Sequence, residues 1–232
     1  MLNNARVVDL TIPLGSEVVM WPGAPGPEAE TLGTVAHDGF FARRVSFFEH
    51  TGTHFDAPCH FIEGGKTVDK IPAESLVRPI VVLDISDRVG DDADAVLTLE
   101  EVLAFEDVHG AIPEGAALFL RTGWEEKNDD AIAYAGQPGD LRFPGFGVEA
   151  AQYLVTTRKV VGLGIDTLGI DSGEASHFFP VHSQVTHPAG LWHLENLQNL
   201  KLLPPVGAWV VVGVLPLVGG SGSPARVLAL LP

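Results

Sequence analysis

The sequence predicts a mixed α/β fold with a substantial sheet, organised as one domain over residues 1–232. Three observations carry this. Runs rich in branched and aromatic residues outnumber segments of helical periodicity, and most connections between them are long. A chain of 232 residues with 46% hydrophobic content is enough for one sizeable core.

In chain order, residues 5–14 (ARVVDLTIPL) read as a strand running into a turn, and 17–23 (EVVMWPG) as a short apolar run stopped by Pro22-Gly23. Residues 40–49 form a second strand leading into a histidine-rich motif, and the loops 33–39 and 128–145 read as mobile. Phe47, Phe48 and Phe55 are expected in the core. Residues 80–85 (IVVLDI) are a strand rich in branched residues, 99–105 a short helix, and 117–121 (ALFLR) a buried strand ending at Thr122-Gly123-Trp124. Residues 147–156 place Val148, Ala151 and Leu154 at helical spacing. Strands follow at 160–165, at 206–214 (VGAWVVVGV) and at 226–231.

Charge and composition exclude several roles. A net charge of -16 and a pI near 4.8 argue against nucleic acid and anionic membranes as partners. No apolar stretch reaches the ~18 residues of a membrane helix. Residues 1–8 lack a basic region followed by an apolar run, so no signal peptide is expected. The single cysteine, Cys59, rules out a disulfide within the chain and fits a reducing, cytoplasmic setting. Asp91, Asp92 and Asp94 read as a solvated loop, since the EF-hand pattern is absent.

The densest chemistry lies in His50-Thr-Gly-Thr-His54-Phe-Asp56-Ala-Pro58-Cys-His60. Imidazoles and carboxylates are the ligands that zinc and manganese take. In an extended chain positions 50, 54, 56 and 60 share one face, whereas a helix would turn Asp56 away. A straight strand at about 3.3 Å per residue would hold His50 and His54 about 13 Å apart, too far for metal–nitrogen bonds of about 2 Å. The segment must therefore curve, and Gly52 permits it. Cys59 would point away and reads as a small packed residue. A second cluster over 166–195 holds Asp166, Asp171, Glu174, His177, His182, His187, His193 and Glu195, of which one or two ligands are expected. Trp21, beside the Pro22-Gly23 turn, suits stacking on an aryl substrate and equally suits the core.

These stretches resemble the cyclase-like metal-dependent hydrolases, a family that includes the bacterial kynurenine formamidases and the isatin hydrolases. The resemblance spans nearly the whole chain: Asp9-Leu-Thr-Ile-Pro-Leu, Trp21-Pro-Gly, the His/Asp motif, Arg121-Thr-Gly-Trp124, Gly164-Ile-Asp166-Thr, Phe179-Pro-Val-His182 and Glu195-Asn-Leu. It implies that His50, His54 and Asp56 bind metal, that His60 is the general acid/base, and that Glu195 is a further ligand or bridging carboxylate. It implies a second-ion role for His182 and a pocket-lining role for Trp21. It also implies a swivelling β/β/α domain, with a mixed sheet flanked by helices, in a homo-oligomer (dimer or tetramer) with sites near subunit contacts. The chain departs from the pattern in places. His182 and Glu195 are thirteen positions apart, one more than in the formamidase pattern, and His187 competes for the late position. Ala24 stands where an acidic residue is usual, and Asp166-Thr-Leu-Gly replaces an Asp-Thr-Pro-Ser type segment.

The function expected is hydrolysis of an amide C–N bond, in an aryl formamide or a cyclic amide, by water activated on zinc or manganese, one or two ions per chain. His60, with an ordinary pKa near 6.5, carries the proton. The substrate is a small molecule. The alternatives are a lactone hydrolase, a cyclase or dehydratase on the same metal site, and a non-catalytic metal-binding protein.

Overall fold

A computed structural model describes residues 6–232. Residues 1–5 lie outside it, and with them most of the stretch 1–8 and the first residue of the strand expected over 5–14. The strands that matter here are β1 (Arg6–Asp9), β2 (Glu28–Gly33), β3 (Ala42–Ser46), β4 (His54–Asp56), β5 (Val77–Asp84), β6 (Ala117–Arg121), β7 (Gly162–Ile165), β8 (Trp192–Glu195), β9 (Ala208–Val214) and β10 (Gly222–Leu231). The two longest helices are α1 (Leu99–His109) and α2 (Val148–Thr156).

The main sheet runs β1-β10-β9-β5-β6-β7-β8-β4, and β4 pairs again with β10. That second pairing closes seven strands into a barrel and leaves β1 outside on β10. The class is mixed α/β, as the sequence predicts, while closure of the sheet has no signal in the residue pattern. Strands β5, β6, β7 and β8 are mutually parallel, and the remaining pairs are antiparallel.

Two-residue alternation divides the core in two. Ile80 and Val82 of β5, Ala117 and Phe119 of β6, and Phe55 and Trp192 fill the barrel interior. Val81, Leu83, Leu118, Leu120, Leu163 and Ile165 face outward and are covered by Ala150, Ala151 and Leu154 of α2 and by Val102 of α1. Each such side chain contributes about 1.5–3 kcal/mol by leaving water. Helix α1 starts at a capping box. The Thr98 hydroxyl accepts from the Glu101 N–H (3.2 Å), and the Glu101 carboxylate accepts from the Thr98 N–H (2.8 Å). Such a cap contributes about 1 kcal/mol. The helix continues past the predicted 105 to His109.

Several local differences from the sequence reading stand out. The run 17–23 forms no strand, β3 is shorter than the predicted 40–49, and it pairs with β2 in a separate hairpin. The predicted loop 33–39 carries a helical turn, Val35–Asp38, and the predicted loop 128–145 another, Ala131–Ala135. No described helix is long and apolar enough to cross a membrane.

Candidate active site

The site forms on the outer face of the barrel, where β4 meets β8. Their antiparallel register sets Asp56 opposite His193 and His54 opposite Glu195. Alternation buries Phe55 and Leu194 in the barrel interior, so all four polar side chains emerge on the other side. The curve demanded at Gly52 is present: its φ is +60°, a left-handed conformation that glycine adopts without strain. It brings the rings of His50 and His54 to 5.3 Å between centroids.

Each imidazole is held at one nitrogen. His54 Nδ1 donates to the Gly52 carbonyl (2.9 Å), leaving Nε2 facing Asp56 and Glu195, 3.3 Å from each. His182 Nδ1 bonds Asp171 (2.6 Å) and its Nε2 lies 3.1 Å from Glu195 and 3.7 Å from Asp56. His50 Nδ1 lies 2.6 Å from Asp56. Asp171 also accepts the backbone N–H groups of Val181 and His182, and Glu195 accepts that of Ile170 (2.8 Å).

Among the described residues, the ion-pair partners of Asp56 and Glu195 are all histidines. Burial resists charging His54, but Asp56 and Glu195 overcome it and push its pKa up to about 10. His182 rises well above the ordinary value for the same reason, with Asp171 its strongest partner. Burial and Asp56 work against ionising Glu195, yet the bonds from His182 and His54 bring it down to about 2. Asp56 is likewise held well below the usual carboxylate range, against its burial, by His50 and His54. Two buried carboxylates thus draw positive charge into a water-poor face. A divalent ion meets that demand with donors of the right chemistry, so the residues present fit such an ion.

His182 and its competitor His187 lie in one cluster with Asp56 and His193, ligand atoms within 4.8 Å of one another, but they make different bonds. Residues Val181–Thr186 form a π turn, in which His187 N–H bonds the His182 carbonyl (3.1 Å). His182 reaches the carboxylates, while His187 Nε2 bonds His193 Nδ1 (3.0 Å) and His193 Nε2 bonds the Thr186 hydroxyl (2.8 Å). Burial pushes His187 down to about 3 and His193 well below its ordinary value. His60 stacks on His50 at 3.9 Å between centroids. Desolvation there, partly opposed by Asp56, pushes His60 down to about 4. It is therefore neutral at pH 7, lower than the ordinary value assumed from sequence.

The Cyclase family model matches residues 8–172. This chain belongs to the cyclase family. It is 35% identical to the isatin hydrolase of Roseibium aggregatum, over 98% of this chain and 92% of that protein. Identity to the kynurenine formamidase of Geobacillus thermodenitrificans is 27%, over 94% of each. The backbone superposes on isatin hydrolase A from Ralstonia solanacearum with a TM-score of 0.92 and 37% identity, covering 99% of this chain and 93% of that one.

Above the histidines of this cyclase-family chain lies a cavity of about 280 Å³. Trp21, Phe61 and Phe179 form its aromatic wall, with ring centroids 5.7 Å apart for Trp21–Phe179 and 5.1 Å for Phe61–Phe179. Phe179 sits at φ +46°, a strained conformation for a non-glycine residue. Phe48, expected in the core, is 42% exposed and lines the same cavity. Cys59 is half-buried against the barrel interior, with Sγ 3.5 Å from the Gly220 carbonyl. Sequence reasoning counted Asp171 only among the candidate ligands of the 166–195 cluster and gave Asn196 no role of its own. Asn196 donates to the same Gly52 carbonyl that anchors His54 (3.0 Å), tying the early and late halves together. The Glu195-Asn-Leu block carried that signal; the Asp171–His182 contact had none. Asp166, by contrast, accepts from the Thr122 N–H, the Thr122 hydroxyl and the Gly123 N–H. It is a clamp between β6 and β7, away from the histidines.

Proposed function

We propose that this chain is a metal-dependent hydrolase that opens the C–N bond of a planar aryl amide, with a cyclic amide of the isatin type first and an aryl formamide second. The observation that carries the reading is the convergence of His50, His54, Asp56, His182 and Glu195 beneath an aromatic-walled cavity. The names of the similar proteins support the order: isatin hydrolases share 35% and 37% identity, a kynurenine formamidase 27%.

His50, His54, Asp56, Glu195 and His182 hold the ion or ions, zinc or manganese. Each carboxylate offers one oxygen to His54 and the other to His182, so the donor set accommodates one ion or two. When bound, a divalent ion supplies a Lewis acid and lowers the pKa of water from about 15.7 to about 7. His60, neutral at pH 7, takes a proton during attack on the carbonyl and returns it to the departing nitrogen, which otherwise leaves as a poor anion. Trp21 stacks on the substrate ring, with Phe61 and Phe179 completing the slot.

A cytoplasmic homo-oligomer, dimer or tetramer, belongs to the same reading. The β2–β3 hairpin and its connection expose Leu32, Val35, Phe40, Phe41 and Val45, an apolar surface that a second copy would cover.

The test is a panel of isatin, an N-formyl arylamine and an aryl lactone, assayed with chelator-stripped protein reloaded with zinc or manganese, alongside elemental analysis and light scattering. Ring opening of isatin at the highest rate, with one or two ions per chain, is expected. A chain that takes up no divalent ion, or hydrolyses only the lactone, overturns the reading.

A further inference from the structure

Of the three imidazoles facing the carboxylates, His50 is anchored differently. His54 and His182 are each held at Nδ1 and turn Nε2 toward the site. His50 turns Nδ1 toward Asp56 and places Nε2 3.0 Å from the hydroxyl of Ser221. That hydroxyl lies 2.7 Å from Glu49 Oε2, which also accepts the Ser221 N–H (2.9 Å).

The donors along this chain run in one direction. The single Ser221 hydroxyl proton is donated to Glu49 Oε2. The Ser221 oxygen is then left with lone pairs, and His50 Nε2 must carry the proton that it accepts. His50 Nδ1 is thereby the nitrogen turned to the site, 2.6 Å from Asp56, a contact that either an Nδ1 proton or a shared cation can bridge.

The backbone is shaped around this arrangement. A Cβ on Gly220 would lie 2.9 Å from Glu49 Oε1, and one on Gly222 would lie 2.6 Å from His50 Cε1. The Ser221 carbonyl is fixed by the Ala57 N–H (2.9 Å), which keeps the segment in register with β4.

We infer that Ser221 and Glu49 are positioning residues that hold His50 by Nε2 and so make Nδ1 the nitrogen offered to a divalent ion. This rests on the metal-dependent reading above. Outer partners of this kind typically change metal affinity by 10–100-fold.

The experiment is a competition titration of zinc and of manganese against a chromophoric chelator, for the wild type and the variants Ser221→Ala, Glu49→Gln and Ser221→Thr. Unfolding midpoints are measured with chelator present, to separate affinity from folding. Nitrogen-15 spectra of the zinc-loaded protein report which His50 nitrogen keeps its proton. Ser221→Ala should weaken zinc binding 10–100-fold at a near-unchanged midpoint, Glu49→Gln less, and Ser221→Thr should restore much of the loss. In the wild type the His50 signal should be that of an Nε2–H ring. Equal affinity for the wild type and Ser221→Ala, or an Nδ1–H signal for His50, overturns the assignment. If the wild type binds neither ion, the hydrolase reading itself falls, a result distinct from equal affinities.

Discussion

Two pairs of histidines sit side by side on the same face of the barrel, and their chemistry is opposite. His54 and His182 aim a nitrogen at Asp56 and Glu195, and both are driven toward the charged state. His187 and His193 aim at each other, and burial keeps both neutral. All four are almost fully buried. The role of a buried imidazole is thus decided by what its second nitrogen meets, and the abundance of histidines in a stretch says little about it.

The sharpest way to break the contrast is to remove the charge behind the first pair. Asp56→Ala should abolish divalent-ion uptake in elemental analysis. By orphaning buried imidazoliums it should also cost about 3–5 kcal/mol in denaturant unfolding of the chelator-treated protein. Retention of the ion would mean that Asp56 is not a ligand. Next in size, His60→Ala should lower turnover by about 10²–10⁴-fold while the ion stays bound; loss of the ion would make His60 a ligand instead.

Titration distinguishes the two pairs by sign. His187 is pushed down to about 3, below the ordinary value of 6.5, so the unfolded chain binds more protons over that interval. Stability of the chelator-treated protein should therefore fall as pH drops from about 6.5 toward about 3, and His187→Asn should flatten that slope. His54 runs the other way, since its pKa rises to about 10. Its contribution is complete below 6.5 and should be lost as pH climbs through about 10, a loss absent in His54→Asn. Scans of unfolding midpoint against pH test both limbs; slopes unchanged by the substitutions would refute the division. The smallest effect is expected at Cys59, where Cys59→Ala should leave ion content and turnover unchanged and stability within about 1 kcal/mol, since the thiol is half-buried against the barrel interior and bonds the Gly220 carbonyl.

How much of this was legible in the sequence follows the same division between local and long-range causes. Strands with branched, apolar runs such as β5, β6 and β9 are visible because alternation and composition agree. Strand β2 (EAETLG) is not, because it is exposed over nearly its whole length and carries no alternation. The early motif is legible down to the bend at Gly52, since chain geometry alone demands it. The different bonding of His182 and His187 is not, because it depends on a π turn and on Asp171, eleven residues upstream of His182. Phe48 was misplaced for a related reason: its residue type favours burial, and only the cavity leaves it exposed.

The seam that closes the barrel has a consequence for assembly. Strand β4 is three residues long, and its stability as a strand depends on partners at both edges, one of them β10. His50 reaches Ser221 across 171 positions of sequence. A nascent chain that has not yet released residues 222–231 from the ribosome holds every imidazole and carboxylate of the centre, yet lacks one of the two strands that flank β4. The cation-binding surface is therefore a late product of synthesis. Ion uptake by ribosome-stalled chains of increasing length should rise in one step when β10 emerges, because contacts of such long range form together or not at all.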